Sequence, residues 1–186
     1  MLQSLFISTL LFFMSSPEQN LMKVKVNEHI TMAMPSDFRP MTDDEIADRY
    51  FTMTRPLALY TNSETAVDLG VNKSITRWRS QDLQIMADFQ KSNIFSLYDK
   101  VDVIKEGIKE VNGRQFAFIE FVSSVEEAKD AMIKKGSIRK YTYIQYTILN
   151  GFSLVFNFTC PSNIQNQWQP QMDGIMNNIT VKKSFK

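Results

Sequence analysis

The sequence contains only one cysteine and one histidine among its 186 residues, and this scarcity excludes several kinds of site. A single cysteine cannot form an intramolecular disulfide or an all-cysteine zinc site, and a single histidine cannot supply a metal site that needs two. The six glycines are scattered, and they form no glycine-rich phosphate-binding motif. The formal net charge of +1 provides no overall attraction to nucleic acid or to an anionic membrane.

What remains is the composition of an ordinary globular protein. Hydrophobic residues make up 44% of the chain and charged residues 22%. A chain of this length buries roughly 70% of its unfolded surface, so it needs no metal or disulfide to stabilise its fold. No linker, repeat or low-complexity tract interrupts residues 17–186, which we therefore predict to form a single domain.

The first sixteen residues differ from the rest of the chain. Leu5 to Met14 form an apolar run, which Ser15, Ser16 and Pro17 bring to an end. About ten residues are too few to span a bilayer as a helix, but they suit the hydrophobic region of a secretory signal. We therefore predict that residues 1–16 are a signal peptide and that the protein is exported, either to a periplasm or out of the cell. The alternative is a buried N-terminal strand or helix.

The rest of the chain alternates between strand and helix patterns. Asn-Gly pairs at 112–113 and 150–151 each join two long strand-like segments, and Asn-Gly is the strongest short signal for a tight hairpin. Shorter strand pairs are predicted within residues 22–34 and 57–69, and helices are predicted to begin near residues 42, 80, 124 and 170. This pattern predicts an α+β fold in which helices flank a central antiparallel sheet and the two long hairpins lie side by side.

Residue types that often carry catalysis occur without the partners that catalysis needs. Asp43, Asp44 and Glu45 are contiguous, which is typical of the first turn of a helix and unlike the spacing of a calcium loop. His29 is interpreted as an edge or surface residue. Cys160 has no cationic neighbour in the sequence to activate it and is interpreted as structural. The sequence therefore predicts no enzyme, no metal site and no cofactor.

One strand carries a candidate surface for a protein partner. Arg139, Tyr141 and Tyr143 share a face of this strand, and Lys140 belongs to a local basic patch. Aromatic side chains rimmed by charge are typical of protein interfaces. The alternative is a half-buried strand whose tyrosines cover the core.

The segment from Arg114 to Phe121 resembles the RNP1 strand of the RNA-recognition motif, with which seven of its eight positions agree. In that family, aromatic side chains of this strand stack on bases, so the resemblance implies this role for Phe116 and Phe118. It would place an RNA-binding core at about residues 75–150. The alternative is that both phenylalanines belong to the protein core.

A second resemblance covers about residues 24–183. Residues 30–38 resemble the opening strand of PsbP-like domains, residues 111–121 and 141–161 resemble two of their hairpins, and Trp168 with residues 175–179 resembles their closing helix. The resemblance implies an α/β/α sandwich around an antiparallel sheet. The fold family includes an extrinsic photosystem II subunit, a Ran-binding nuclear import factor and Eag-type secretion chaperones, which share non-enzymatic protein binding.

These observations favour a non-catalytic, exported interaction or accessory module with an unidentified protein partner. No motif specific to one relative is matched, so the resemblance assigns no functional residue. Two alternatives remain open, an RNA-binding protein and a cytoplasmic secretion chaperone of the Eag type. The chaperone alternative differs from export because it would keep residues 1–16 as part of the folded protein.

Overall fold

The structure is a computed structural model that describes residues 20–50, 55–126 and 137–185. The predicted signal peptide at 1–16 lies outside these ranges, as does most of the helix predicted at 124–135. That helix does not begin where the sequence predicted, because Ser124 and Val125 are still part of a strand that pairs with Arg139 and Ile138.

Ten strands and four helices lie within the described ranges. The strands are β1 (Leu21–Lys25), β2 (Ile30–Pro35), β3 (Arg39–Pro40), β4 (Ala58–Thr61), β5 (Asp68–Arg77), β6 (Lys100–Val111), β7 (Arg114–Val125), β8 (Ile138–Leu149), β9 (Phe152–Pro161) and β10 (Thr180–Val181). The helices are α1 (Asp43–Arg49), α2 (Leu83–Leu97), α3 (Gln165–Trp168) and α4 (Met172–Met176), with short 3₁₀ turns at Ser80–Asp82, Ser162–Ile164 and Gln169–Gln171. None of these helices is long and apolar enough to cross a membrane.

The strands form two antiparallel sheets. The larger has the order β3-β4-β5-β9-β8-β7-β6, and the smaller has the order β1-β2-β10. Asn112 and Gly113 adopt φ of 49° and 75°, and Asn150 and Gly151 adopt 52° and 82°, as a tight hairpin turn between twisted strands requires. The two Asn-Gly hairpins are therefore confirmed, and they lie side by side in the larger sheet.

Each face of the larger sheet is covered by different elements. Alternate side chains of β7 point to opposite faces, so Ala117, Ile119 and Phe121 pack beneath α2. Phe116 points the other way and packs into the core formed with the smaller sheet, α3 and α4. The predicted α+β class and the central antiparallel sheet between helices are confirmed.

Two predicted helix starts show how local chemistry acts. The helix predicted to begin near residue 42 is confirmed as α1, and Thr42 caps it. The Thr42 hydroxyl accepts a 3.2 Å hydrogen bond from the amide of Glu45, whose side chain accepts one of 2.9 Å from the Thr42 amide. The helix predicted to begin near residue 80 begins three residues later, since Ser80 opens a 3₁₀ turn and α2 starts at Leu83. Within that turn, the Asp82 side chain accepts a 3.2 Å hydrogen bond from the amide of Arg79.

Candidate interaction surface

The structure divides the predicted partner surface of residues 139–143 between solvent and core. Arg139 and Lys140, at the beginning of β8, are exposed. Tyr141 and Tyr143 are 0% and 1% exposed because they point into the core beneath the smaller sheet and α4. The prediction is therefore wrong for both tyrosines, which a partner cannot reach in this fold. The role proposed for Arg139 and Lys140 stays a prediction.

The hydroxyl of Tyr141 binds a buried carboxylate. It donates a 3.0 Å hydrogen bond to Oε1 of Glu120, a residue of β7 that is only 6% exposed. Burial raises the pKa of the Tyr141 hydroxyl, and the neighbouring carboxylate raises it further. Tyr141 therefore remains protonated and acts as a permanent donor to Glu120, which is a structural role.

The hydroxyl of Tyr143 belongs to a second polar cluster. Lys109 of β6 donates hydrogen bonds of 2.9 Å to this hydroxyl and 2.6 Å to Oδ1 of Asn177, just after α4. The Tyr143 ring stacks on Phe118 with centroids 5.8 Å apart and planes inclined by 12°. Partial burial lowers the pKa of the Lys109 ammonium. These contacts tether the edge of the larger sheet to the end of α4.

The two phenylalanines of the RNP1-like strand do not form an open platform. Phe116 is 1% exposed and packs with its ring centroid 6.1 Å from that of Phe156. Phe118 is half-buried and its ring is already stacked on Tyr143. The base-stacking role implied for Phe116 is wrong, because a base cannot reach its ring.

The single histidine and the single cysteine lie apart. His29 contacts Ser184 Oγ through Nδ1 at 3.2 Å and Glu28 Oε1 through Nε2 at 3.0 Å. Cys160 is buried, and burial raises the pKa of its thiol to about 12, which opposes formation of a nucleophilic thiolate. Across residues 20–50, 55–126 and 137–185, no group of three His, Cys, Asp or Glu residues is placed to hold a metal ion.

The structure reveals a surface that sequence reasoning missed, which we call the α2–β6 groove. It is a depression of about 260 Å³ between the helix and the edge of the larger sheet. Its lining comes from α2, β6, β7 and β8 (Gln84, Ala87, Asp88, Lys91, Glu106, Gly107, Ile108, Ala117, Phe118, Ile119, Tyr146). A 2.7 Å ion pair between Lys91 and Glu106 spans it.

Apolar side chains are exposed on the two elements that border the groove. Ile108 and Val103 of β6 are 42% and 38% exposed. Phe95, which is 48% exposed, follows Gln84, Asp88 and Lys91 on one face of α2 at helical spacing. The sequence contains one indication of this surface, because Phe95 is a large apolar residue outside the apolar stripe that α2 buries. The position of Phe95 does not indicate which strand lies beside the helix.

Comparisons with known proteins give a match in structure only. No protein-family model matches the sequence, and no curated protein sequence matches it. The Ran-binding protein Mog1p of Saccharomyces cerevisiae superimposes with a TM-score of 0.59 at 14% identity, over 88% of this chain and 96% of Mog1p. Cyanobacterial PsbP (CyanoP) from Synechocystis gives 0.56 at 10% identity, over 87% and 92% of the two chains. The chain has the PsbP-like fold.

A third solved structure has the same fold. LpqN, which is involved in cell envelope biogenesis of Mycobacterium tuberculosis, gives a TM-score of 0.54 at 10% identity, over 90% of this chain and 94% of LpqN. The PsbP-like resemblance stated from the sequence is thereby confirmed for the fold. Identities of 10–14% do not carry an activity from one chain to another.

Proposed function

We propose that the protein is an exported, non-catalytic accessory module that binds an extended segment of a partner protein along β6. The observation that carries the proposal is a 12-residue strand at the edge of the larger sheet, bordered by the α2–β6 groove. An extended peptide that adds to such an edge gains affinity from main-chain hydrogen bonds and specificity from pockets for alternate side chains.

Among the described residues, no strand pairs with the outer edge of β6. β7 pairs with one side of β6 from Val111–Arg114 to Lys100–Ser124, and in the described ranges no strand follows β6 in the sheet order. The main-chain groups on its other side therefore form a template for a further strand. A bulge between Val103 and Lys105 interrupts the ladder and limits unspecific pairing.

The charged side chains of β6 indicate which charges a partner strand should carry. Lys105 and Lys109 lie beside the ring of Phe118 on one face of the sheet. Glu106, on the opposite face, pairs with Lys91 of α2, and Glu110 follows it at strand spacing. A complementary strand would place acidic side chains beside the lysines and basic side chains beside the glutamates.

The groove itself suits an apolar side chain of that partner. Ile108 and Phe95 already present apolar surface to solvent, and covering it on binding is favourable. The ion pair that spans the groove is exposed on both sides, at 41% for Lys91 and 43% for Glu106. Opening such a pair costs about 0–1 kcal/mol, so it does not prevent entry.

Separate observations support protein binding, the lack of catalysis and export. Mog1p is a Ran-binding protein, and LpqN acts in cell envelope biogenesis. Burial shifts the pKa of Tyr141, Tyr143 and Cys160 upwards, towards the protonated and unreactive form. The apolar run from Leu5 to Met14 supports export.

Site-specific photo-crosslinking in the native host tests the binding site. A photoreactive amino acid at Ile108 is compared with the same group at Leu57, which is similarly exposed at 38% but precedes β4, near the opposite edge of the larger sheet. We expect one defined protein adduct from position 108 and none from position 57. Lys105→Glu should weaken the adduct at 108, because it reverses a charge on the proposed edge. Equal adducts at both positions, or no adduct at 108, would contradict the proposed site.

N-terminal sequencing of the native protein tests export separately. We expect the mature chain to begin after residue 16, and to be recovered from the extracytoplasmic fraction. An intact N-terminus in the cytoplasmic fraction would instead favour the secretion-chaperone alternative. The result of N-terminal sequencing does not affect the crosslinking result. The proposed binding site and the proposed export are therefore tested separately.

A further inference from the structure

The two long hairpins of the larger sheet diverge at their turns. The ladder between β7 and β8 runs from Val125–Ile138 to Ala117–Tyr146 and ends there, although β7 begins at Arg114 and β8 continues to Leu149. Main-chain groups on the facing edges lose their ladder partners in this gap. The hydroxyl of Thr147 crosses it and donates a 2.9 Å hydrogen bond to the carbonyl oxygen of Gln115.

The gap opens into a cleft of about 460 Å³, which we call the hairpin-turn cleft. This volume lies within the range of small-molecule sites. Polar side chains from four parts of the chain line it, including Ser80, Arg114, Gln115, Thr147, Asn150 and Lys183. Residues from both Asn-Gly turns and from the C-terminal segment therefore meet around one polar cavity.

The charge around the hairpin-turn cleft is mainly positive. Arg114 is half-buried and donates a 3.3 Å hydrogen bond to the carbonyl oxygen of Val181, while partial burial lowers the pKa of its guanidinium. A cation that has lost part of its hydration gains more from a bound anion than one in bulk water. Lys183 adds a second, exposed cation to the lining.

A third cation stands beside the second turn. The Arg77 guanidinium lies 3.8 Å from the centroid of Phe152, and its Nη1 lies 3.4 Å from where a Cβ on Gly151 would be. The acidic side chains nearby are few. Asp82 is already paired with Arg79 at 2.9 Å. Glu110 is the acidic residue whose cross-strand neighbour, Gln115, lines the cleft.

The start of α2 contributes further positive charge to the hairpin-turn cleft. Leu83, the first residue of this 15-residue helix, lines the cleft together with Ser80 of the preceding turn. The amino end of a helix carries a partial positive charge that favours anions. Arg114, Lys183, the Ser80 hydroxyl and the Gln115 amide therefore border one volume, and cationic, hydroxyl and amide donors suit phosphate oxygens.

We propose that the hairpin-turn cleft binds a phosphate group, carried either by a small soluble compound or by a lipid headgroup. This site lies at the turn end of the sheet and is independent of the proposed strand-binding edge. Two single substitutions test the proposed phosphate site. Lys183→Gln removes a cation from the lining, and Gln115→Glu introduces a negative charge at nearly constant shape.

The experiment titrates the isotopically labelled full chain with inorganic phosphate and follows backbone amide signals by NMR. We expect saturable shifts at residues 113–115 and 147–151. Each of the two variants should weaken binding about tenfold, Lys183→Gln because a charge-assisted hydrogen bond is lost and Gln115→Glu because the new carboxylate repels the phosphate. Lys182→Gln is the matched control, because Lys182 is adjacent and exposed but is not part of the lining. It should change binding by less than about twofold.

A second arm identifies the source of the phosphate. Vesicles of equal parts phosphatidylglycerol and phosphatidylcholine are compared with vesicles of phosphatidylcholine alone by co-sedimentation. Retention on the anionic vesicles that Gln115→Glu abolishes assigns the site to a lipid headgroup, and saturable phosphate shifts without retention assign it to a soluble compound. The proposal is overturned if phosphate produces no saturable shift in the cleft and vesicle binding ignores the variants, or if Lys182→Gln weakens binding as much as Lys183→Gln.

Discussion

The hydroxyl of Tyr141 on β8 donates a 3.0 Å hydrogen bond to the carboxylate of Glu120 on β7, and both residues are buried between the larger sheet and its cover. The residue that the sequence offered as part of a partner surface therefore satisfies a buried polar group in the core. A buried carboxylate is costly unless it is hydrogen-bonded, so the Tyr141 hydroxyl stabilises the fold by donating to Glu120.

Removing this donor should destabilise the fold. Tyr141→Phe keeps the ring and leaves the Glu120 carboxylate without its hydrogen bond, so we expect the free energy of unfolding to fall by about 1–3 kcal/mol. Urea denaturation measures the change. Tyr146→Phe is the control, because the Tyr146 hydroxyl has no hydrogen bond to a described residue, and it should have a smaller effect. Equal losses from both variants would show that the Tyr141–Glu120 bond is not important.

The register between β5 and β9 can be tested at one glycine. Gly70 is opposite Asn157, and a Cβ at Gly70 would lie 2.5 Å from Oδ1 of Asn157. Gly70→Ala should therefore destabilise the protein by about 1–3 kcal/mol through overpacking. Adding Asn157→Ala should recover part of this loss, because it removes the clashing atom. Strictly additive losses in thermal denaturation would argue against this register.

The contact between Arg39 and Glu45 should make stability depend on acid pH. Two hydrogen bonds of 2.8 and 2.7 Å from the guanidinium lower the pKa of Glu45 from 4.5 to about 2. A lowered folded-state pKa contributes stability above the unfolded value and loses it as pH falls through the folded value. The difference in melting temperature between the wild type and Glu45→Gln should therefore be present at neutral pH and vanish as pH falls from 4.5 to about 2.

A second variant controls for the acid test. Arg39→Met removes the guanidinium but keeps the hydrogen bond from the Thr42 amide to Glu45, so the loss of stability with falling pH should be smaller than in the wild type but should not vanish. If the wild type and Glu45→Gln instead remain equally far apart down to the most acid condition, the Arg39–Glu45 contact does not contribute to the pH dependence.

The tether between the sheet edge and α4 predicts a local change in dynamics. Lys109→Met keeps much of the apolar stem and removes the hydrogen bonds to Tyr143 and Asn177, so the amides of β6 near residue 109 should exchange faster with solvent. The global loss should be about 1 kcal/mol. Lys105→Met is the control, since Lys105 is 56% exposed and its ion pair with Asp173 is long, at 3.9 Å. Faster exchange in both variants alike would show a general effect of charge.

Much of the fold follows from local chemistry in the sequence. The two Asn-Gly turns require positive φ at successive residues, so they determine where β6 and β8 end and where β7 and β9 begin. The capping box at Thr42 likewise determines the start of α1. These signals involve residues close together in the chain, which is why they could be interpreted without coordinates.

The candidate surfaces depend on contacts that the sequence does not show. Strand period two places Tyr141 and Tyr143 on one face, but whether that face is covered depends on the distant β1, β2 and β10 and on α4. The groove was missed for a related reason. Its existence depends on β6 being the edge strand beside α2, and strand order is not encoded in the period of any single strand.

Amide hydrogen exchange of residues 100–111, with and without the crosslinked partner or a peptide from it, tests the central claim most directly. If the partner adds a strand to β6, alternate amides that exchange quickly in the free protein should become protected when the complex forms. The amides of β1 and β4, in other parts of the two sheets, should keep their rates. Protection confined to elements other than β6 would contradict the account.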